Sequence, residues 1–190
     1  MKTKITAAHP HFVVEEHTSH LFVADYTNQT QSERAVVISS VQPDDIHSFP
    51  IKNPNQIPVG TVIFDKWSFV SDKGSESQCE CMAFAHADAA IHPWVLLLEL
   101  KYCKRKNAKS KIVEGTKQLQ NTLVLLKAAD IISSKQRCYL IVSLPDPSNK
   151  PYDAWGISQE EKTELAKQNI YFKASDKIVI ASERILEYEE

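Results

Sequence analysis

Glu99 and Lys101, near the end of the apolar run WVLLLELKYC, are the side chains in this sequence best placed to do chemistry. Alternate residues of a strand share a side, so this carboxylate and ammonium face one way while Leu98 and Leu100 face the other. Burying either charge costs several kcal/mol unless it is matched by its opposite or bound to a metal. A strand this apolar that ends in such a pair reads either as a peripheral ion pair or as a site. The positive charge continues beyond it. Lys101, Lys104, Arg105, Lys106, Lys109, Lys111 and Lys117 are opposed over that span only by Glu114, in a chain of formal net charge −2. Clustered Lys and Arg suit a phosphate-bearing partner, because contact with it releases condensed counterions. A solvated loop and helix start accounts for the same charges equally well.

The elements that must position these groups are legible from residue 61 onward. TVIFDKWSFV is β-branched and aromatic and precedes the turn-rich SDKGSES, which predicts a strand and a hairpin turn. QCECMAFA follows as a second strand, HADAAIHP as a connection and WVLLLELKYC as a third strand, so the two short links imply an antiparallel meander. After the loop KRKNAKSK, apolar or small residues recur at Ile112, Gly115, Leu119, Leu123 and Leu126, the period of a helix laid on a sheet and running to about Ser133. RCYLIVSLP is a fourth, buried strand that stops at PDPSNKP. Ser158 with Glu161 forms a capping-box pattern opening SQEEKTELAKQ, and IYFKA and KIVIAS read as C-terminal strands. Before residue 58 only HLFVA and AVVIS look like strands, and no long helical pattern is present.

A second acid is needed beside Glu99 for a metal to be held well. If the second and third strands run antiparallel, the start of one lies beside the end of the other, which favours Glu80 in QCECMAF. Asp65 in VIFDKWSF is the competing candidate, although it falls in the middle of the first predicted strand. Both remain open at this point.

The order strand, strand, strand ending in Glu-x-Lys, helix, strand resembles the core of the PD-(D/E)XK nuclease superfamily, which includes restriction endonucleases and Holliday-junction resolvases. LLLELKY supplies the motif at Glu99 and Lys101, and KQLQNT looks like the glutamine-bearing helical segment of several such families, with Gln118 and Thr122 a turn apart. The resemblance covers a little under half of the chain. It implies an α/β fold with a restriction-endonuclease-like mixed sheet spanning 60–145, an N-terminal elaboration over 1–58 and a C-terminal helix and strands over 150–190, all within a single domain. It also implies hydrolysis of phosphodiester bonds in DNA, with RNA a second substrate class. Mg²⁺ or Mn²⁺ would be held by Glu80 and Glu99, Lys101 would position water and stabilise the anionic transition state, and Gln118 would orient water or phosphate. Lys104, Arg105, Lys106, Lys109 and Lys111 would hold the backbone. Two departures bear on catalysis: a Glu stands where the family mostly carries Asp, and no acid-bearing helix precedes Thr61, leaving Glu15 or Glu16 as substitutes. The alternative is an inactive module of this fold that binds nucleic acid or a protein. Relatives of this type often cut as dimers, but no residues here mark an interface.

Other features point to ordinary roles. Cys79 and Cys81 should share a strand face as packed thiols, since Cys-x-Cys lacks zinc-knuckle spacing and Cys103 stands apart. His9, His11, His17 and His20 are read as a frayed terminus. The four glycines form no phosphate loop, and Ser143 and Ser148 lie in no nucleophile elbow. Trp67, Trp94 and Trp155 are read as packing residues rather than base-stacking ones. The first residues hold no apolar run long enough for a signal peptide, and no segment approaches the roughly 20 apolar residues of a membrane span, so a cytoplasmic protein with reduced cysteines is expected.

Overall fold

In the computed structural model, residues 1–30, 35–86, 92–149 and 157–188 are described. Along the chain run α1 (Lys2–Ala8), β1 (Glu15–His17), β2 (Leu21–Asp25), α2 (Thr27–Thr30), β3 (Val36–Ser39), β4 (Phe49–Lys52) and β5 (Val59–Ile63). Next come β6 (Val70–Ser71), β7 (Gly74–Ser75), β8 (Cys81–Ala85), β9 (Val95–Leu100), α3 (Ala108–Ala128) and β10 (Cys138–Ser143). α4 (Gln159–Lys167), β11 (Ile170–Ala174), β12 (Ile178–Ser182) and β13 (Ile185–Glu187) complete the order.

The apolar run that ends in Glu99 and Lys101 becomes β9, and every one of its residues is buried. That follows from its place inside a six-stranded sheet ordered β1-β5-β8-β9-β10-β11, with layers packed on both faces. β5, β8 and β9 form the expected antiparallel meander, with Val62 opposite Met82 and Cys81 opposite Leu98. β10 then lies parallel to β9, Cys138 beside Val95 and Ser143 beside Leu100. A parallel neighbour requires a crossover, which α3 supplies. The fold is therefore mixed α/β, as the sequence implies.

The two faces of β9 serve different layers. Val95 and Leu97 join Met82, Phe84, Leu140 and Val142 in a cluster covered by Ile112, Leu119, Leu123 and Leu126 of α3. Leu96, Leu98 and Leu100 join Ala83 and Ile141 against Leu21, Phe49, Ile51, Ile178 and Ile180. Those last residues come from a second sheet, ordered β13-β12-β4-β2-β3, in which Ile178 of β12 pairs in parallel with Ile51 of β4. β2, β3 and β4 from the N-terminal part and β12 and β13 from the C-terminal part thus build one sheet together, while β1 and β11 join the first. Among the described residues, no helix is long and apolar enough to cross a membrane.

Several local expectations give way. The strand expected over 61–70 ends at Ile63, because the Asp65 carboxylate accepts the Trp67 N–H (2.8 Å) and the Ser68 hydroxyl (3.1 Å) and turns the chain. The residues before the next strand form the small β6–β7 hairpin. α3 begins at Ala108 and ends at Ala128, so Lys109 and Lys111 stand on the helix and not in the loop. The N-terminus is not frayed: Ile5 and Phe12 are buried, and His9 stacks on Phe12 at 4.5 Å. His17 Nε2 lies 3.0 Å from the Thr61 hydroxyl, and His20 Nδ1 accepts the Asn53 N–H at 2.8 Å. Cys79 and Cys81 belong to opposite layers, so they do not share a face. The HADAAIHP connection lies partly, and Trp155 wholly, outside the described residues.

Candidate active site

Counting in twos along β9 puts Glu99 on the α3 side, and the helix is shaped to receive it. Gly115 faces the sheet where a Cβ would stand 3.1 Å from Glu99 Cγ and 3.0 Å from Val142 Cγ1. The missing side chain lets α3 settle directly over the carboxylate, whose residue is 0% exposed.

The compensating charge is Lys101. Its backbone continues the ladder past the end of β9, donating to Ser143 O at 2.8 Å. Its Nζ lies 2.8 Å from Glu99 Oε1, and its side chain is 12% exposed. The same ammonium donates to Glu114 Oε1 on α3 at 3.0 Å, and Glu114 Oε2 accepts from Lys111 Nζ at 2.7 Å. A chain of alternating charge thus runs from the interior to the surface as Glu99, Lys101, Glu114 and Lys111. Burial alone would lower the Lys101 pKa. The Glu99 and Glu114 carboxylates outweigh it, and the ammonium is held above the ordinary lysine range. Hydrogen bonds from Lys111 and then Lys101 hold Glu114 below the ordinary carboxylate range.

Glu80 lies where strand adjacency predicts, its N–H donating to Leu98 O at 3.0 Å beside the end of β9. Glu80 itself precedes β8, whose first residue, Cys81, pairs with Leu98. Cys79 and Glu80 both precede β8, so the alternation of that strand does not fix the side on which Glu80 stands. Its charge acts on Tyr102, whose phenol burial pushes up to about 12, with the Asp25 and Glu80 charges adding to the rise. The Tyr102 hydroxyl donates to His47 O at 2.7 Å.

Three polar residues of α3 grip the segment leading to Glu80. Asn121 Nδ2 donates to Ser77 O (2.6 Å), Gln118 Nε2 to Gln78 O (3.1 Å), and the Cys79 N–H to Thr122 Oγ1 (2.8 Å). The Gln118 amide nitrogen, expected to orient water or phosphate, is thus engaged with backbone. Asp65 serves the turn after β5, and its carbonyl accepts from Gln78 Nε2. Glu15 and Glu16 lie on β1, with β5 and β8 between them and β9, and Glu16 pairs with Lys2. Lys104, Arg105, Lys106 and Lys109 are exposed around the start of α3, and Arg105 Nη1 donates to Ser148 O at 3.3 Å.

Trp94 is buried and donates to Ser182 O at 2.9 Å, a packing role as expected, whereas Trp67 is 63% exposed with the Lys66 ammonium 5.0 Å from its ring. The member of this chain of charges that sequence reasoning passed over is Glu114. Its signal was present as the lone acid within the basic span, one residue from the glycine that faces the sheet.

No protein-family model matches the chain, and no curated protein is similar to it. Among solved structures, SfsA of Pyrococcus furiosus in complex with Ca²⁺ is similar at 10% identity and a TM-score of 0.27, over 93% of this chain and 94% of that one.

Proposed function

We propose that this chain is a PD-(D/E)XK-type protein that hydrolyses phosphodiester bonds of nucleic acid, DNA being the favoured substrate. The observation that carries the proposal is a fully buried glutamate matched to a lysine at the end of the third strand of a meander, followed by a helix and a parallel fourth strand. A sheet stabilised by apolar packing alone has no need of that pair. The exposed cations around the start of α3 suit a phosphate backbone passing over the rim.

The donors present suit Mg²⁺ or Mn²⁺ bound through few protein ligands. Such a cation takes one or two carboxylates and fills its other positions with water and phosphate oxygens. Glu99, at the end of β9, and Glu80, which precedes β8 and donates its N–H to Leu98 O, would hold it. Among the described residues no group of three or more His, Cys, Asp or Glu could hold a metal, so a site closed by protein side chains is not the kind proposed. When bound, the cation supplies charge neutralisation and an acidified water. Lys101, with its raised pKa, remains an ammonium near neutral pH. Its part is to donate hydrogen bonds to the phosphoryl oxygens as charge develops, and not to accept a proton. Gln118, Asn121 and Thr122 keep the segment leading to Glu80 in place.

A second reading is favoured by the sharing of Lys101 between Glu99 and Glu114: a non-catalytic module of the same fold, binding nucleic acid or a protein. Incubation with plasmid, single-stranded DNA and RNA, in Mg²⁺, Mn²⁺ or EDTA, separates the two. Metal-dependent cleavage that disappears in Glu99→Gln and Lys101→Met supports hydrolysis. Binding without cleavage of any substrate supports the second reading.

A further inference from the structure

Glu114 does something that an ordinary surface acid does not. Its pair with Lys111, three residues earlier on the same helix, is of the common kind that contributes a few tenths of a kcal/mol. Its second oxygen reaches the ammonium of Lys101, just past the end of β9, which also serves buried Glu99. Two carboxylate oxygens thus take one N–H each from Lys101 and Lys111, at 3.0 and 2.7 Å. Two oxygens of a phosphate group would ask for that same pair of donors.

We infer that Glu114 occupies an oxyanion subsite between Lys101 and Lys111, which a phosphate group enters by displacing the Glu114 carboxylate. The two acids bound to Lys101 differ in a way that decides which one can leave. Glu99 is wholly buried beneath α3, whereas the Glu114 side chain is 49% exposed and can be rehydrated at little cost. With Glu114 swung aside, Lys101 keeps Glu99 as its anchor and stays in place. The surroundings suit an incoming anion. The first turn of α3 contains no acid, no side chain caps its start, and Lys104, Arg105, Lys106 and Lys109 are exposed nearby. Glu114 therefore acts as a resident competitor, sparing the two lysines from unselective anions until a phosphate held by the neighbouring cations outbids it. This inference rests on the phosphodiester reading above and deepens it by placing the substrate phosphate.

The test measures binding in EDTA, where no cleavage intervenes. Fluorescence anisotropy with a short single-stranded oligonucleotide is run on the parent, Glu114→Gln, Lys101→Met and the double variant, with inorganic phosphate as competitor. Removing one negative charge beside the ligand should tighten Glu114→Gln about fivefold. It should also steepen the salt dependence by about 0.7 in log–log slope for each lysine released. Both gains should shrink when Lys101 is also replaced, the change in slope falling to about 0.7, owed to Lys111 alone, and inorganic phosphate should displace the oligonucleotide at lower concentration from Glu114→Gln. If only inorganic phosphate binds more tightly to Glu114→Gln, the subsite stands and its ligand is a free phosphate. Glu114→Gln binding neither ligand more tightly than the parent, whether both bind equally or neither binds at all, overturns the subsite. Failure of the hydrolysis reading looks different: Glu114→Gln still gains affinity, but the parent cleaves nothing in Mg²⁺ or Mn²⁺.

Discussion

Replacing Lys101 with Met should strand the Glu99 carboxylate in the interior, and the consequence can be worked out from the geometry. Glu99 is wholly buried, Lys101 nearly so, and the two are 2.8 Å apart. Removing one partner of such a pair costs about 3 to 5 kcal/mol, against a total stability of about 5 to 15 kcal/mol for a domain. Because the Lys101 side chain reaches the rim, water can enter the space it leaves. The lower end, about 3 kcal/mol, is therefore expected at pH 7.5. For a chain of this size that is a fall in Tm of roughly 6 to 12 °C.

The sign of the pH dependence makes the prediction sharper. Lys101 has a raised folded pKa, so its contribution is complete below the ordinary lysine value and is lost only as pH rises through the raised one. Between pH 4.5 and 7.5 the ammonium does not change state, and any change in the penalty belongs to the two carboxyls it serves, chiefly buried Glu99 and secondly exposed Glu114. Protonating a stranded Glu99 removes the buried charge, so the cost of Lys101→Met should shrink as pH falls. Urea unfolding of parent and variant at both pH values, at constant m, measures it. A penalty under about 1 kcal/mol at pH 7.5, or one equal at both pH values, would refute the idea that Glu99 sits in a low-dielectric site compensated by Lys101.

Three further outcomes follow from the structure. Gly115→Ala gains about 1 kcal/mol of helix propensity but presses a Cβ to 3.0 Å from Val142 Cγ1 and 3.1 Å from Glu99 Cγ. Both neighbours lie in buried central strands, so overpacking of about 1 to 3 kcal/mol should prevail, and thermal melting should show a net loss. Glu114 has a lowered pKa, so its contribution to stability is present above the ordinary carboxylate range and is lost as pH falls through the lowered value. The stability difference between parent and Glu114→Gln, followed by acid titration, should accordingly close at the acid end. Ser158→Ala removes a capping box in which the Ser158 Oγ accepts the Glu161 N–H at 3.1 Å and Glu161 Oε2 accepts the Ser158 N–H at 2.7 Å. α4 carries no buried residue, so the loss of about 1 kcal/mol should appear as faster amide exchange within that helix while global unfolding barely moves.

What could be read in advance was local. The alternation of β9, the apolar period of α3 and the Ser158–Glu161 spacing each depend on a few neighbouring residues, and each predicts its element to within a few positions. The second sheet depends on Ile51 meeting Ile178 across more than half of the chain, and no local pattern announces such a pairing. TVIFDKWSFV has the composition of a single strand, yet one Asp65 side chain bonding to its own backbone is enough to end it. α1 is too short to show a period and buries only Ile5. At the site, Glu99 and Lys101 were legible because period-two alternation held through β9. Glu80 was legible in position but not in direction, because it precedes β8 and lies outside that strand's alternation. Glu114 needed the third dimension, since its partner Lys101 stands on another element.

The ion pair also allows stability to be set against chemistry within one variant. Glu99→Leu combined with Lys101→Met replaces a buried pair by apolar side chains of similar length, next to Val142 and beneath Gly115. Such replacements are often neutral or stabilise by about 1 to 4 kcal/mol, because the desolvation of two charges is no longer opposed to folding. If the pair were there to hold the sheet together, the double variant would unfold more easily than the parent. The expected result is the reverse: a double variant at least as stable as the parent by urea unfolding, far more stable than Lys101→Met alone, and without the metal-dependent cleavage proposed for the parent. A double variant as fragile as Lys101→Met would mean that the two charges are structural, and the argument from their presence on β9 to phosphodiester chemistry would fall with them.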